Sequence, residues 1–178
     1  MNQLMRTLHL SGVVVDPDDQ DSKHDSIQLR EARGNWKAGQ RSRFITARRL
    51  SSWLISDWQH KRRHMNLPDL DFEPVRSGLF YSLRLGGTWV AADWWLQYFH
   101  VDKTVTALRL EHLANDFNRL LLPHLPPGTP ELQHPPRVNA KPAASSQQEP
   151  TFDNSDLARI RACNPRWSQW EEMLYDKG

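Results

Sequence analysis

RFITARRLSSWLISDWQHKRRH, residues 43–64, is the stretch on which the reading of this chain turns. Projected at about 100° per residue, Phe44, Ala47, Leu50, Ser51, Leu54, Trp58 and, just beyond, Met65 fall on one side. Arg49, Ser52, Ser56, His60 and Arg63 fall on the other. The spacing predicts an amphipathic helix over 43–64. Ser42 stands where an N-cap is needed. Lys61, Arg62 and Arg63 complement the helix dipole in the last turn, and Pro68 ends the helix. Ile45 and Trp53 interrupt the polar side.

The same stretch concentrates charge. Between Arg30 and Arg63 stand ten basic residues (Arg30, Arg33, Lys37, Arg41, Arg43, Arg48, Arg49, Lys61, Arg62 and Arg63) against Glu31 and Asp57, a net of +8. The whole chain carries +2, so the remainder carries −6. Such asymmetry is the footprint of a polyanion-binding face, because each neutralised phosphate releases counterions. A solvated helix compensated in space by the acidic run Asp16, Asp18, Asp19, Asp21 is the competing reading. The expected nucleic-acid contacts are Arg41, Arg43, Arg48, Arg49, Ser52, Ser56, His60, Lys61, Arg62 and Arg63. Arginine reads phosphates or guanine edges, serine donates to phosphate, and a helix fits the major groove.

Toward the N-terminus, residues 7–15 alternate as a strand, Asp16-Pro17-Asp18-Asp19 breaks it, and 26–32 alternate again. The two are expected to pair as a small antiparallel ribbon. Toward the C-terminus, 66–74 reads as a loop and 78–85 as a strand stopped by Gly86-Gly87. Thr88 then caps a helix over about 89–100, with a β-hairpin across Gly86-Gly87 as the alternative. Asp102 caps a third helix to Leu122, striped by Val105, Leu108, Leu113, Phe117, Leu120 and Leu121.

Eight of the twelve prolines lie between Pro123 and Pro150, which reads as a semi-rigid linker. Beyond it, Ser155 caps one short helix and Asn164-Pro165 starts another carrying Trp167, Trp170 and Leu174. So short a segment builds no core alone. It is expected to dock on the body, on a second subunit, or on a protein partner through Trp167 and Trp170. The fold class expected is α+β: a mainly helical core over 1–122 with a small N-terminal β-ribbon, a linker over 123–151, and a tethered C-terminal helical segment over 152–178.

Composition excludes several chemistries. One cysteine forms no disulfide within the chain and no paired-cysteine zinc site. No apolar run nears the ~18 residues that cross a bilayer, and the first residues lack the order of a signal peptide. A cytoplasmic location without membrane contact follows as an expectation. His60 and His64 stand at i, i+4, but no third ligand lies near and Lys61-Arg62-Arg63 repels a cation, so no metal is expected. DPDDQD over 16–21 fails as a calcium loop at its sixth position, Asp21, and its twelfth, Ile27. Arg119 and His124 share a spacing seen in some metal-independent helical ribonucleases, with His as acid/base and Arg on phosphate. Trp36 and Trp53, inside the basic region, are the tryptophans placed to stack on bases. The other six, and Cys163, read as core.

At Ala92-Asp93-Trp94-Trp95-Leu96, followed by the expected helix to Leu122, the chain resembles a protein family encoded in integrating conjugative elements and related plasmids. The resemblance covers about 35 residues and implies a mobile-element context with a DNA-binding regulatory or accessory role. It transfers no catalytic residues.

The leading expectation is therefore a non-enzymatic nucleic-acid-binding protein, with DNA favoured over RNA, no cofactor, and a homodimer covering surplus apolar helix surface. A subunit or inhibitor docking on a nucleoprotein assembly, and a small ribonuclease using Arg119 and His124, are the alternatives.

Overall fold

The computed structural model describes residues 24–34, 42–134 and 150–176. In chain order they form α1 (Ile27–Ala32), β1 (Arg43–Ala47), α2 (Leu50–His64), α3 (Glu73–Arg76), β2 (Leu79–Ser82), β3 (Thr88–Ala91), α4 (Asp93–Tyr98), β4 (Val105–Arg109), α5 (Leu113–Asp116), α6 (Asn154–Cys163) and α7 (Pro165–Tyr175). The class is α+β with a mainly helical core. The chain divides into two compact units, one holding 24–34, 42–47 and 99–134, the other 48–98 and 150–176.

In the first unit, β1 and β4 pair in parallel, with Phe44 opposite Thr106 and Thr46 opposite Leu108. Parallel strands need a long crossover, and residues 48–104 supply it. After β4 the backbone winds through a 3-10 turn (Leu110–His112), α5, a turn of π-helix (Phe117–Leu121) and a second 3-10 turn (Leu122–His124). This irregular helical run buries Leu113, Phe117 and Leu121 against Leu108, and Phe44, Leu125 and Leu132 close over the cluster. Each such buried side chain contributes roughly 1.5–3 kcal/mol. Arg109 clamps the turn: its backbone N–H and Nε donate to Asp116 Oδ2 at 2.8 and 2.9 Å, and Nη2 donates to Oδ1 at 2.8 Å. The Asn118 side chain accepts from Leu132 N at 2.8 Å and donates to its carbonyl at 3.1 Å, fixing the first residues of the proline-rich stretch.

In the second unit, β2 and β3 form an antiparallel hairpin with Tyr81 opposite Trp89. Both turn glycines, Gly86 (φ 74°) and Gly87 (φ 79°), take left-handed backbone that side chains resist. Helix α2 lays Leu50, Leu54 and Trp58 into the core with Val75, Phe80, Leu96, Ile160 and Trp167. Trp53 sits between Phe80 and Trp167, with ring centroids 5.3 and 4.9 Å away. Asp153 caps α6 in a reciprocal capping box with Asp156, and Pro165 opens α7.

Four expectations are overturned. Residues 26–32 are no ribbon strand: Ser26 Oγ accepts from Leu29 N at 3.3 Å and starts α1. The proposed partner strand, 7–15, lies outside the described residues. The basic helix begins at Leu50, because Arg43–Ala47 is recruited into the sheet by β4. Residues 89–100 are not one helix; the hairpin alternative across Gly86-Gly87 holds, and only Asp93–Tyr98 is helical. The third helix loses its first part to β4, where Val105 and Thr106 favour extended backbone. Asp102 instead opens a turn, accepting from Thr104 N at 2.8 Å and Oγ1 at 2.6 Å. Cap residues shift too: Ser42 and Thr88 cap nothing, and Asp153 replaces Ser155.

Candidate nucleic-acid interface

The expected basic ridge divides when placed in space. Arg43 belongs to the first unit, where Nη2 pairs with Asp102 Oδ1 at 2.9 Å and bonds Thr104 Oγ1, while Nη1 donates to the His100 carbonyl at 3.4 Å. Arg41 lies outside the described residues. The remaining eight expected contacts sit on or just before α2, in the second unit.

Along α2 the polar side reads as expected. Ser52, His60 and Arg63 are exposed and Ser56 is half-buried. His60 and His64 lie 5.1 Å apart between ring centroids with their planes inclined at 38°, on one side of the last turn. From Arg49 to Arg63 this strip runs about 21 Å at 1.5 Å rise per residue. Arg48 and Arg63 make no ion pair among the described residues.

Two cations leave the strip. Lys61 is turned inward, its side chain 9% exposed, paired with Asp57 and lying 4.9 Å from the centroid of the Phe80 ring. Burial pulls the Lys61 amine below its ordinary range and pushes the Asp57 carboxyl above its own; in each case the partner's charge counters part of the shift. A surface role for Lys61 is thereby excluded. Arg62 lies over the Trp58 ring at 4.6 Å, and its Nε donates to the Pro68 carbonyl at 2.6 Å, tying the following loop to the helix.

Arg49 stays exposed but is shared. Nη1 pairs with Glu171 Oε1 at 3.4 Å, and the guanidinium lies 4.3 Å from the Tyr175 ring centroid. Glu171 Oε2 accepts from the Leu50 backbone N–H at 2.7 Å. The N-cap residue, Arg49, has no capping side chain of its own, so a carboxylate from α7 occupies the positive end of α2. No periodicity in the sequence points to Glu171, which lies 121 residues from Leu50.

The aromatic and histidine candidates are also placed. Trp53 is half-buried and packed between Phe80 and Trp167; Trp36 lies outside the described residues. Trp167 is buried within the second unit, so the C-terminal segment docks on its own chain, while Trp170 is half-buried. Arg119 approaches Asp116 at 3.9 Å, whereas His124 packs edge-on against Phe44 and lies 3.5 Å from Ser42 Oγ. The two are engaged separately. Cys163 is half-buried, its thiol pushed up by burial and by the Asp93 charge, as befits a packed residue rather than a nucleophile. No group of three His, Cys, Asp or Glu side chains among the described residues could hold a metal, and no helix there is long and apolar enough to cross a membrane.

Asn164 was legible only as a helix start. Its side chain is fully buried, accepts from Asp93 N at 3.1 Å, and donates to the Gly78 and Ile160 carbonyls at 2.9 Å each. Asp93 in turn accepts from Arg166 N and Trp167 N at 2.9 and 2.7 Å. The acidic-Trp-Trp-Leu stretch thus serves the fold, since Asp93 caps α7 while Trp94 and Trp95 pack beside Phe80. No protein-family model, curated protein or solved structure matches this chain.

Proposed function

We propose that the protein is a non-enzymatic nucleic-acid-binding protein that lays the outer strip of α2 against a phosphate backbone, with duplex DNA the favoured target. One observation carries this reading. Asp57, the only carboxylate of α2, is engaged with Lys61 on the inner side, so the outer strip of Ser52, Ser56, His60 and Arg63 presents donors and positive charge. Arg48 and Arg49 extend it at the N-terminal end. The contact set is thus narrower than ten residues: Lys61 and Arg43 drop out, and Arg62 serves the loop. A role as regulator or accessory factor in the cytoplasm, in the mobile-element context of the Ala92–Leu96 resemblance, belongs to the same proposal. A second subunit is not required by it, because Leu96 and Trp167 are buried within one chain.

Salt dependence tests the reading. Three or four phosphate contacts give a slope of about −3 for log affinity against log salt on duplex DNA. Arg63→Ala and Arg48→Ala each reduce that slope by about 1. No binding to any duplex at low salt, or a slope unchanged in both variants, overturns it.

A further inference from the structure

We infer that the cleft between the 66–71 loop and the β2–β3 hairpin is a binding site for an arginine side chain presented by a basic peptide segment of a protein partner. The cleft is an open groove of about 370 Å³, lined by Asp69, Asp71, Tyr81, Trp89, Leu67 and Asn66. Aromatic faces and carboxylates on one concavity are what a guanidinium selects: it stacks on the rings and donates in a fork to carboxylate oxygens.

Both walls are fixed in advance. Tyr81 and Trp89 are direct cross-strand partners, with ring centroids 5.3 Å apart and edge to face. Gly87 holds this arrangement, because a Cβ there would stand 2.7 Å from Tyr81 Oη. The opposite wall is tied to α2 at two points, Trp58 Nε1 donating to the Leu70 carbonyl at 2.9 Å and Arg62 Nε to the Pro68 carbonyl. A preformed site loses little to ordering on binding.

Charge selects the occupant. Asp69 is exposed and makes no ion pair among the described residues. Asp71 Oδ1 accepts from Glu73 N at 3.0 Å, which leaves its second oxygen for a ligand. Arg62, the cation tied to this loop, is already held by Pro68 and by the face of Trp58. The two exposed carboxylates repel an anion and favour a cation over a neutral side chain. The site is distinct from the outer strip of α2 and does not depend on nucleic-acid binding.

The test uses the full chain, labelled with nitrogen-15, and follows the Trp89 indole N–H signal, identified by its loss in Trp89→Phe. The probe is a blocked tripeptide with arginine between two serines. A saturable shift with a dissociation constant of about 1 mM is expected. The citrulline counterpart, of the same shape without charge, leaves the signal in place. Asp69→Asn with Asp71→Asn weakens the arginine peptide at least about tenfold, while its unchanged remaining spectrum reports an intact fold. Absence of a saturable shift, an equal response to citrulline, or full affinity in the double variant overturns the assignment. Guanidinium ion alone binding as tightly as the peptide overturns the peptide as occupant.

Discussion

Glu171 Oε2 accepts the Leu50 N–H at 2.7 Å, so the first turn of α2 is capped by a residue of α7 rather than by its own sequence. The same carboxylate holds the Arg49 guanidinium. One side chain therefore stabilises the basic helix and occupies the position where a phosphate would meet its positive end.

Glu171→Ala removes that cap and lowers stability by about 1–2 kcal/mol in urea unfolding. Glu171→Gln retains a carbonyl acceptor for Leu50 and loses less. Because the neutral amide no longer competes for Arg49, it also tightens duplex binding several-fold if the outer strip of α2 is the interface. Equal stability of the Ala variant and the parent protein contradicts the capping role.

Lys61 and Asp57 form a pair whose side chains are 9% and 19% exposed. Lys61→Met strands the carboxylate and costs about 1–3 kcal/mol at neutral pH, discounted for the exposure of Asp57. Asp57→Leu with Lys61→Met restores most of the loss. The pH dependence has a definite sign. Burial already raises the Asp57 pKa, and loss of Lys61 raises it further. A carboxyl raised in the folded state binds its proton more tightly there, so stability falls as pH rises through that value. The Lys61→Met deficit is therefore smaller near pH 4 than at pH 7, which unfolding curves at the two pH values resolve.

Gly78 and Asn164 form one unit. Gly78 has φ 88°, and a Cβ there would stand 2.6 Å from Asn164 Nδ2. Gly78→Ala therefore costs about 2 kcal/mol or more through strain and clash. Asn164→Ala leaves the Asp93 N–H and two carbonyls without their side-chain partner, for a loss of about 2–4 kcal/mol. The double variant is less damaged than the sum, because the smaller side chain at 164 relieves the clash. Simple additivity in a double-mutant cycle refutes this coupling.

Asp116 governs part of the acid limb. Burial pushes its carboxyl up, but hydrogen bonds and charge from Arg109, with charge from Arg119, outweigh this, and the group titrates below its ordinary range. Between the ordinary carboxylate value near 4 and the lower folded value, the unfolded chain binds more protons, so stability is lost as pH falls. Asp116→Asn flattens the decline below about pH 5 and lowers stability at pH 7 by about 2–4 kcal/mol. An acid limb as steep as that of the parent protein contradicts the assignment.

Local sequence determined what short-range physics decides. The apolar stripe Leu50, Leu54, Trp58 and the outward strip Ser52, His60, Arg63 follow from helical periodicity alone. Pro165 at the start of α7 and the hairpin option at Gly86-Gly87 follow from backbone restrictions. Only the tertiary structure decided the rest. Arg43–Ala47 and Val105–Arg109 carry spacings that suit a helix, and they become strands because each finds its hydrogen-bond partner some sixty residues away. Likewise Asp102 and Glu171 meet their arginines through the fold, with 59 and 122 residues separating the two pairs. A count of basic residues sees charge but not its partners, since ion pairing is set by distance in space and burial rather than by order along the chain.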